Sequence, residues 1–322
     1  MSESLKTCYR YLEETGRSYA AVIQALEGEL QHAACIFYLV LRAVDTVEDD
    51  MTISLETKIS ILKNFHNFLY QPDWRFMDGK QKDCIVLKDF PTISQEFRNL
   101  AVVYQEVIAN AVCEQALGMV EYLKKQVETI QDWDKVRNRI EYCYYASSPL
   151  ICGLSVMFSV SGLENSIVGE DTRVSISVSL FMQKMNIIRD FLEDQLNNQE
   201  FWPKEVWSKY GKKLSDFTKP ENTVPAVQCL NELITNSLQH VPDIFLYLSR
   251  LQNQRVFKFC AVPLMMAIAT LATCYNNQQV FKRKVKIRKG QTVTLMMNTT
   301  TMQAVKAITC QYMEEVWMSS IF

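Results

Sequence analysis

A chain of 322 residues with 34 basic and 36 acidic side chains has a formal net charge of −2, which excludes a general nucleic-acid binder marked by a basic face. With 48% hydrophobic residues but only 9 Gly and 8 Pro, it can bury a sizeable core and favours helices over a turn-rich β fold. Its ten Cys show no C-x-x-C spacing and its three His pair with none of them, which excludes a zinc site and fits reduced, buried thiols in a cytosolic setting.

The polar start MSESLKTCYRYLEE carries no secretory signal. Ser4–Leu12 reads as a short helix. Apolar residues then recur at spacings of 3 and 4 from Ser18 to Asp50, which predicts one long helix. Thr52 and Ser54 can cap the next, Leu55–Leu69. Gln71–Pro91 holds PDW and DGK turn signals and reads as a surface connection. Ser94 is a candidate N-cap for a long helix reaching Lys125. Gln131–Gly162 reads as a helix interrupted by Pro149, and Glu164–Asp171 as a loop. Thr172–Gln195 is helical, and Asn197–Thr223 is mostly loop with short helical pieces. Val224–Leu251, Arg255–Tyr275 and Thr300–Ser319 complete an all-α set. The basic, partly alternating Lys282–Lys289 is either a solvated connector or a flap that contacts phosphates. Phe259–Tyr275 and Ala146–Leu163 are uncharged and approach membrane-spanning length. Pro263 in the first, and Pro149 with two glycines in the second, favour helices buried in a large domain. No linker divides the chain, so residues 1–322 read as a single domain.

One acidic signature, D-x-x-E-D, occurs twice, at Asp45–Asp49 and at Asp190–Asp194. On a helix, residues i and i+4 share a face roughly 6 Å apart, so Asp45 stacks over Asp49 and Asp190 over Asp194. Tyr38 and Arg42 continue the first stripe; Gln183 and Asn186 continue the second. Both stripes lie in otherwise apolar helices, which are usually buried. Buried carboxylates must pair or bind metal. Two such faces turned towards each other would form an oxygen cage for Mg²⁺ and a substrate's phosphates. The plainer alternative is a solvated acidic face, with Arg42 and Arg189 as surface partners.

Several longer segments carry a resemblance: ETGRSYAAVIQAL, CIFYLVLRAVDTVEDDM, NFLYQPDWRF, QKMNIIRDFLEDQ, EFWPKEVW, LNELITNSLQHVPD, MAIATLATCYNNQQVF and VKIRKGQTVTLMM. Over nearly its whole length the chain resembles the animal-type squalene synthases, the farnesyl-diphosphate farnesyltransferase family. The resemblance implies an all-α prenyl-synthase helical bundle around a central cavity, with the aspartate motifs on opposite walls. It implies Mg²⁺-dependent head-to-head coupling of two farnesyl diphosphates through presqualene diphosphate, then reduction by NADPH to squalene. No G-x-G-x-x-G follows a strand here, so the nicotinamide cofactor rests on the resemblance alone.

Carried over position by position, Asp45, Asp49, Asp190 and Asp194 would be metal ligands flanked by Glu48 and Glu193. Arg17 and Arg42 would contact diphosphate, Tyr38, Gln183 and Phe259 would line the substrate cavity, and Tyr142 would handle the proton of the first half-reaction. Asn186, Lys286 and Arg288 would serve the phosphates and the cofactor. The family also implies a monomer on the cytosolic face of the endoplasmic reticulum, held by a C-terminal anchor. This chain stops at Phe322 without one, so as given it is expected to be soluble and cytosolic, with membrane association only if an anchor has been removed.

The chain departs from the family pattern around Tyr142. Val136–Glu141 looks like an insertion just before it, and the glycine-rich run that usually follows is replaced by residues including Ser148, Pro149 and Ile151. These should narrow the cavity, and Pro149 should kink or end the helix. Ser179 replaces a usual glycine and Leu264 a usual Gln. Three outcomes stay open: squalene formation with a rearranged wall, a diverged farnesyl-using enzyme giving presqualene-derived or cyclised products without NADPH, or an inactive relative kept for binding.

Overall fold

A computed structural model describes residues 1–16, 18–128, 137–197 and 199–321, without the side chains of Ser18, Lys82, residues 125–143 and residues 320–321. Every regular element among them is helical. The α-helices run α1 (Glu3–Gly16), α2 (Ser18–Gln24), α3 (Gly28–Asp49), α4 (Leu55–Phe68), α5 (Ile85–Lys88), α6 (Phe90–Asn99) and α7 (Val102–Glu128). They continue as α8 (Arg137–Val160), α9 (Ile167–Glu170), α10 (Thr172–Arg189), α11 (Phe191–Leu196) and α12 (Lys204–Trp207). The last are α13 (Thr223–Leu238), α14 (Val241–Ser249), α15 (Gln254–Cys274), α16 (Lys289–Asn298) and α17 (Met302–Ile321). Contacts divide the chain into two compact units, one drawn from Met1–Asp132 and Tyr144–Ser175, the other from Trp133–Cys143 and Ile176–Phe322.

In the first unit α3 is the core helix: Ile36, Phe37, Leu39, Val40, Ala43, Val44 and Val47 are all fully buried. The unbroken helix expected over Ser18–Asp50 is instead α2 and α3. Gly28 opens α3 with φ +62°, a left-handed conformation that glycine adopts without strain. Ser94 is not an N-cap. It lies buried within α6, donating to the Pro91 carbonyl at 3.1 Å, and extended Leu100 separates that helix from α7. The Gln71–Pro91 stretch is more than a surface connection: Trp74 stacks on Phe68 at 4.1 Å and meets Phe65 and Phe90 edge-on. Glu164–Asp171 contains the short helix α9. Pro149 does not end its helix, for α8 runs on to Val160.

The second unit is organised around Trp202. Its indole N–H donates to the Ile187 carbonyl at 3.2 Å, and its ring meets Phe191, Phe217 and Phe281. The helix expected over Thr172–Gln195 breaks at Asp190, where φ −94° and ψ 10° leave the helical basin. That expected over Val224–Leu251 breaks at Gln239 and His240 and restarts with Pro242 in its first turn. α3 and α15 are long and apolar enough to cross a membrane, yet most of the apolar stretch of each is buried.

His240 sits in a polar chain at that second break. The Lys184 ammonium, which can only donate, lies 2.9 Å from His240 Nε2, so the ring proton is on Nδ1 and donates to Ser177 Oγ at 2.8 Å. Ser177 in turn donates to Asp243 Oδ2 at 2.6 Å. Burial first, and then Lys184, press the His240 pKa down to about 4 against the pull of Asp243. The folded protein therefore keeps this ring neutral where the unfolded chain would protonate it. Its contribution is complete above the ordinary value near 6.5 and is lost as the pH falls from there towards 4. Urea unfolding midpoints should accordingly drop less between pH 7 and pH 5 in His240→Gln than in the unmodified protein. Equal drops would show that this ring does not titrate as described.

Candidate active site

The first acidic motif occupies the last turn of α3. Tyr38 anchors the stripe: its hydroxyl donates to the Thr15 carbonyl at 2.9 Å and accepts from Arg42 Nε and Nη2 at 3.2 and 3.0 Å. The Arg42 guanidinium also lies 5.5 Å from the Tyr38 ring centroid, a cation–π distance. One turn on, Asp45 Oδ1 accepts from Gln115 Nε2 of α7 at 3.0 Å. The Lys58 ammonium donates to the Glu48 carbonyl. Buried Asp50 accepts from the Thr52 amide and hydroxyl at 2.9 and 2.7 Å and from the Lys80 amide at 3.0 Å, which secures the chain beyond the motif.

Three carboxylates in a last helical turn oppose the helix dipole, which favours cations there. Burial and then Asp49, against Arg42 and Gln115, push Asp45 up to about 7. Burial and then Asp49, against Lys58, push Glu48 up to about 8. Without a bound cation, burial and mutual repulsion thus make these acids hold their protons more tightly than free carboxyls do.

The second motif is differently furnished. The backbone bond from the Asp194 amide to the Asp190 carbonyl, at 3.0 Å, keeps the two acids one turn apart across the helix break. Arg189 grips Asp190 with contacts of 2.9 and 2.5 Å. Lys284 bridges Asp190 Oδ1 and Glu193 Oε2 at 2.9 and 2.7 Å. Burial raises the Asp190 pKa, but Arg189 and Lys284 outweigh it and hold the group below the ordinary carboxylate value. Burial, Asp190 and Glu193 push Asp194 up to about 7. Gln183 and Asn186 lie half-buried on α10.

Lys284 explains the basic segment. Val285 and Ile287 are buried, while Lys284, Lys286 and Arg288 alternate with them and are exposed. Sequence reasoning picked Lys286 and Arg288 and missed Lys284, although all three share one parity. Phe259 is half-buried on α15. Ser148, Ser179 and Leu264 are buried. Arg17, Val136 and the side chains of Arg137–Cys143, Tyr142 included, lie outside the described residues; the Arg137–Glu141 backbone forms the first turns of α8.

Among the described residues no three His, Cys, Asp or Glu side chains gather as a closed metal cage. Mg²⁺ needs no such cage, since it keeps several waters and takes one or two carboxylates together with substrate phosphates. Oxygen-only donors, in two acidic turns with raised pKa values, fit such an ion.

Residues 12–291, which include both motifs and the basic segment, match the model of the squalene/phytoene synthase family. The chain belongs to the squalene/phytoene synthase family. It is 64% identical to the squalene synthase of Homo sapiens over 317 residues, 98% of this chain and 75% of that protein. With the squalene synthase of Rattus norvegicus the identity is 62% over the same shares. The solved complex of TcSQS with the ligand BPH1237 superposes with a TM-score of 0.93 at 36% identity, covering 98% of this chain and 92% of that one. Membership of this family makes the chain a transferase of the farnesyl-diphosphate farnesyltransferase type, and its all-α fold is that of the squalene synthases.

Proposed function

We propose that this enzyme joins two farnesyl diphosphates head to head through presqualene diphosphate and reduces the product to squalene. The observation that carries the reading is a pair of acidic helical turns, Asp45–Asp49 and Asp190–Asp194, in a chain 64% identical to a squalene synthase. Asp45 and Asp49, with Glu48, and Asp190 and Asp194, with Glu193, would hold Mg²⁺. The ions supply Lewis-acid neutralisation of a departing diphosphate.

The chain's own residues do the rest. Arg42, and by family resemblance Arg17, bind diphosphate oxygens, while Lys284 and Arg189 stand ready beside Asp190. The C–O bond of the first substrate breaks with its electron pair on diphosphate. The double bond of the second captures the allylic cation, and loss of a proton, assigned to Tyr142, closes the cyclopropane. Coupling demands that water, which would quench the cation, be kept out. The faces of Tyr38 and Phe259 favour positive charge. Presqualene diphosphate then loses its own diphosphate, again with the C–O electron pair, and the rearranged cation takes up hydride; Asn186 and the exposed Lys286 and Arg288 would hold NADPH, which would supply that hydride.

The reading also assigns the protein a single catalytic domain working as a monomer. It places the enzyme at the cytosolic face of the endoplasmic reticulum in a form that carries an anchor. Buried Ser148 and Pro149 in α8 favour a second reading, in which the same ionisation leads to presqualene-derived or cyclised products. Incubation with farnesyl diphosphate and Mg²⁺, with and without NADPH, followed by mass spectrometry, decides. Squalene only with NADPH is the expected result. Equal product without the cofactor selects the second reading, and no pyrophosphate release in either arm defeats both.

A further inference from the structure

Gln115 lies on α7, which packs against α3, and is only 2% exposed. Its Nε2 donates to Asp45 Oδ1 at 3.0 Å. Its Oε1 is buried and has no hydrogen-bond partner among the described residues. Turning the amide over would not suit a metal site, because the Asp45 carboxylate must be ionised to bind a cation and would then face a second acceptor. An amide buried with one end unmet is costly, and an apolar side chain of the same length would avoid that cost. The neighbourhood is otherwise built for such side chains: Ala111, Val112, Ala116 and Met119 on the same helix are all buried. The polar group therefore serves something besides packing.

Resting on the function proposed above, we infer that Gln115 positions the first metal site. Its amide N–H fixes the Asp45 carboxylate, and its orphaned carbonyl oxygen accepts from a water on the divalent cation that the carboxylate binds. Mg²⁺ keeps several of its waters, and these polarised waters are strong donors. A residue that orients a ligand and meets the ion's hydration shell typically carries ten- to a hundredfold of metal affinity. Gln115 touches no reacting atom in this scheme and acts through Asp45 and the ion's water.

The test is thermal melting of the full chain titrated with Mg²⁺ in saturating inorganic pyrophosphate. It compares the unmodified protein with Gln115→Met, Gln115→Leu and Asp45→Asn. A residue present for packing would lower the melting temperature of the ligand-free variant and leave the metal response alone. A positioning residue gives the opposite result. Gln115→Met should melt no lower than the unmodified protein when ligand-free, yet need about tenfold more Mg²⁺ for half of the stabilisation. Half-saturation within twofold of the unmodified protein, in whichever Gln115 variant folds, overturns the inference. So does failure of both variants to fold, which would make the role structural. Asp45→Asn separates the two levels. If it too keeps a normal Mg²⁺ response, the proposed metal site itself is wrong; if it loses the response while Gln115→Met keeps it, only the role of Gln115 falls.

Discussion

Asp45→Asn and Asp190→Asn should each abolish pyrophosphate release from farnesyl diphosphate, by at least about 10²–10³-fold, the loss that follows removal of one preorganised charge-stabilising group. The two variants should differ in the ligand-free protein. Asp45 has its pKa raised to about 7, so its folded form prefers the proton and its charge costs stability at neutral pH. Removing that charge should leave the melting temperature unchanged or higher. Asp190 has its pKa lowered through Arg189 and Lys284, so its charge supports the fold. Asp190→Asn would leave those two cations without their shared partner, and the variant should melt lower by an amount that salt reduces. Pyrophosphate release and a melting curve on the same samples check both statements. Retained turnover in either variant would remove that motif from the ionisation step, and equal melting shifts would show that the two acidic turns are not furnished differently.

The acids were legible in the sequence because helical spacing alone puts residues four apart on one face. Their partners were not. Gln115 is 70 positions from Asp45 and Lys284 is 91 from Glu193, and no local pattern couples residues at such separations. Lys284 did leave a weak trace, since it shares its alternation with Lys286 and Arg288. The helix breaks failed for another reason. The apolar period runs on through Gly28 and through Asp190, and only the backbone geometry shows that the chain turns there. Pro149 misled in the opposite direction, for it sits inside α8, where surrounding packing overrides a local breaker. Fold class needed none of these details, because it follows from the sum of many periodic segments, whereas each part of the site depends on single residues.

Gly118 has no sequence signal at all, yet its replacement should have one of the largest effects in the protein. It faces Tyr145 of α8 so closely that a Cβ at position 118 would lie 2.2 Å from Tyr145 Cγ and 2.4 Å from its Cβ. Those atoms are the root of the tyrosine side chain, so no rotamer change relieves the clash and the two helices must move apart. Overpacking of this kind costs about 1–3 kcal/mol, which should appear in Gly118→Ala as a melting temperature lower by several degrees. Function should suffer selectively. Tyr142 lies three residues before Tyr145 on the same helix, one turn away, so a displaced α8 carries the assigned proton-handling residue with it. Pyrophosphate release from the first substrate should survive better than formation of the coupled product, and the ratio of free farnesol to coupled product should rise. Tyr145→Ala placed in the Gly118→Ala background should restore little, because the clash with the residue-145 Cβ at 2.4 Å remains; Tyr145→Gly in that background should restore helix packing. Unchanged melting and an unchanged product ratio in Gly118→Ala would mean that α7 and α8 do not approach this closely, and the link from this glycine to the coupling step would be lost.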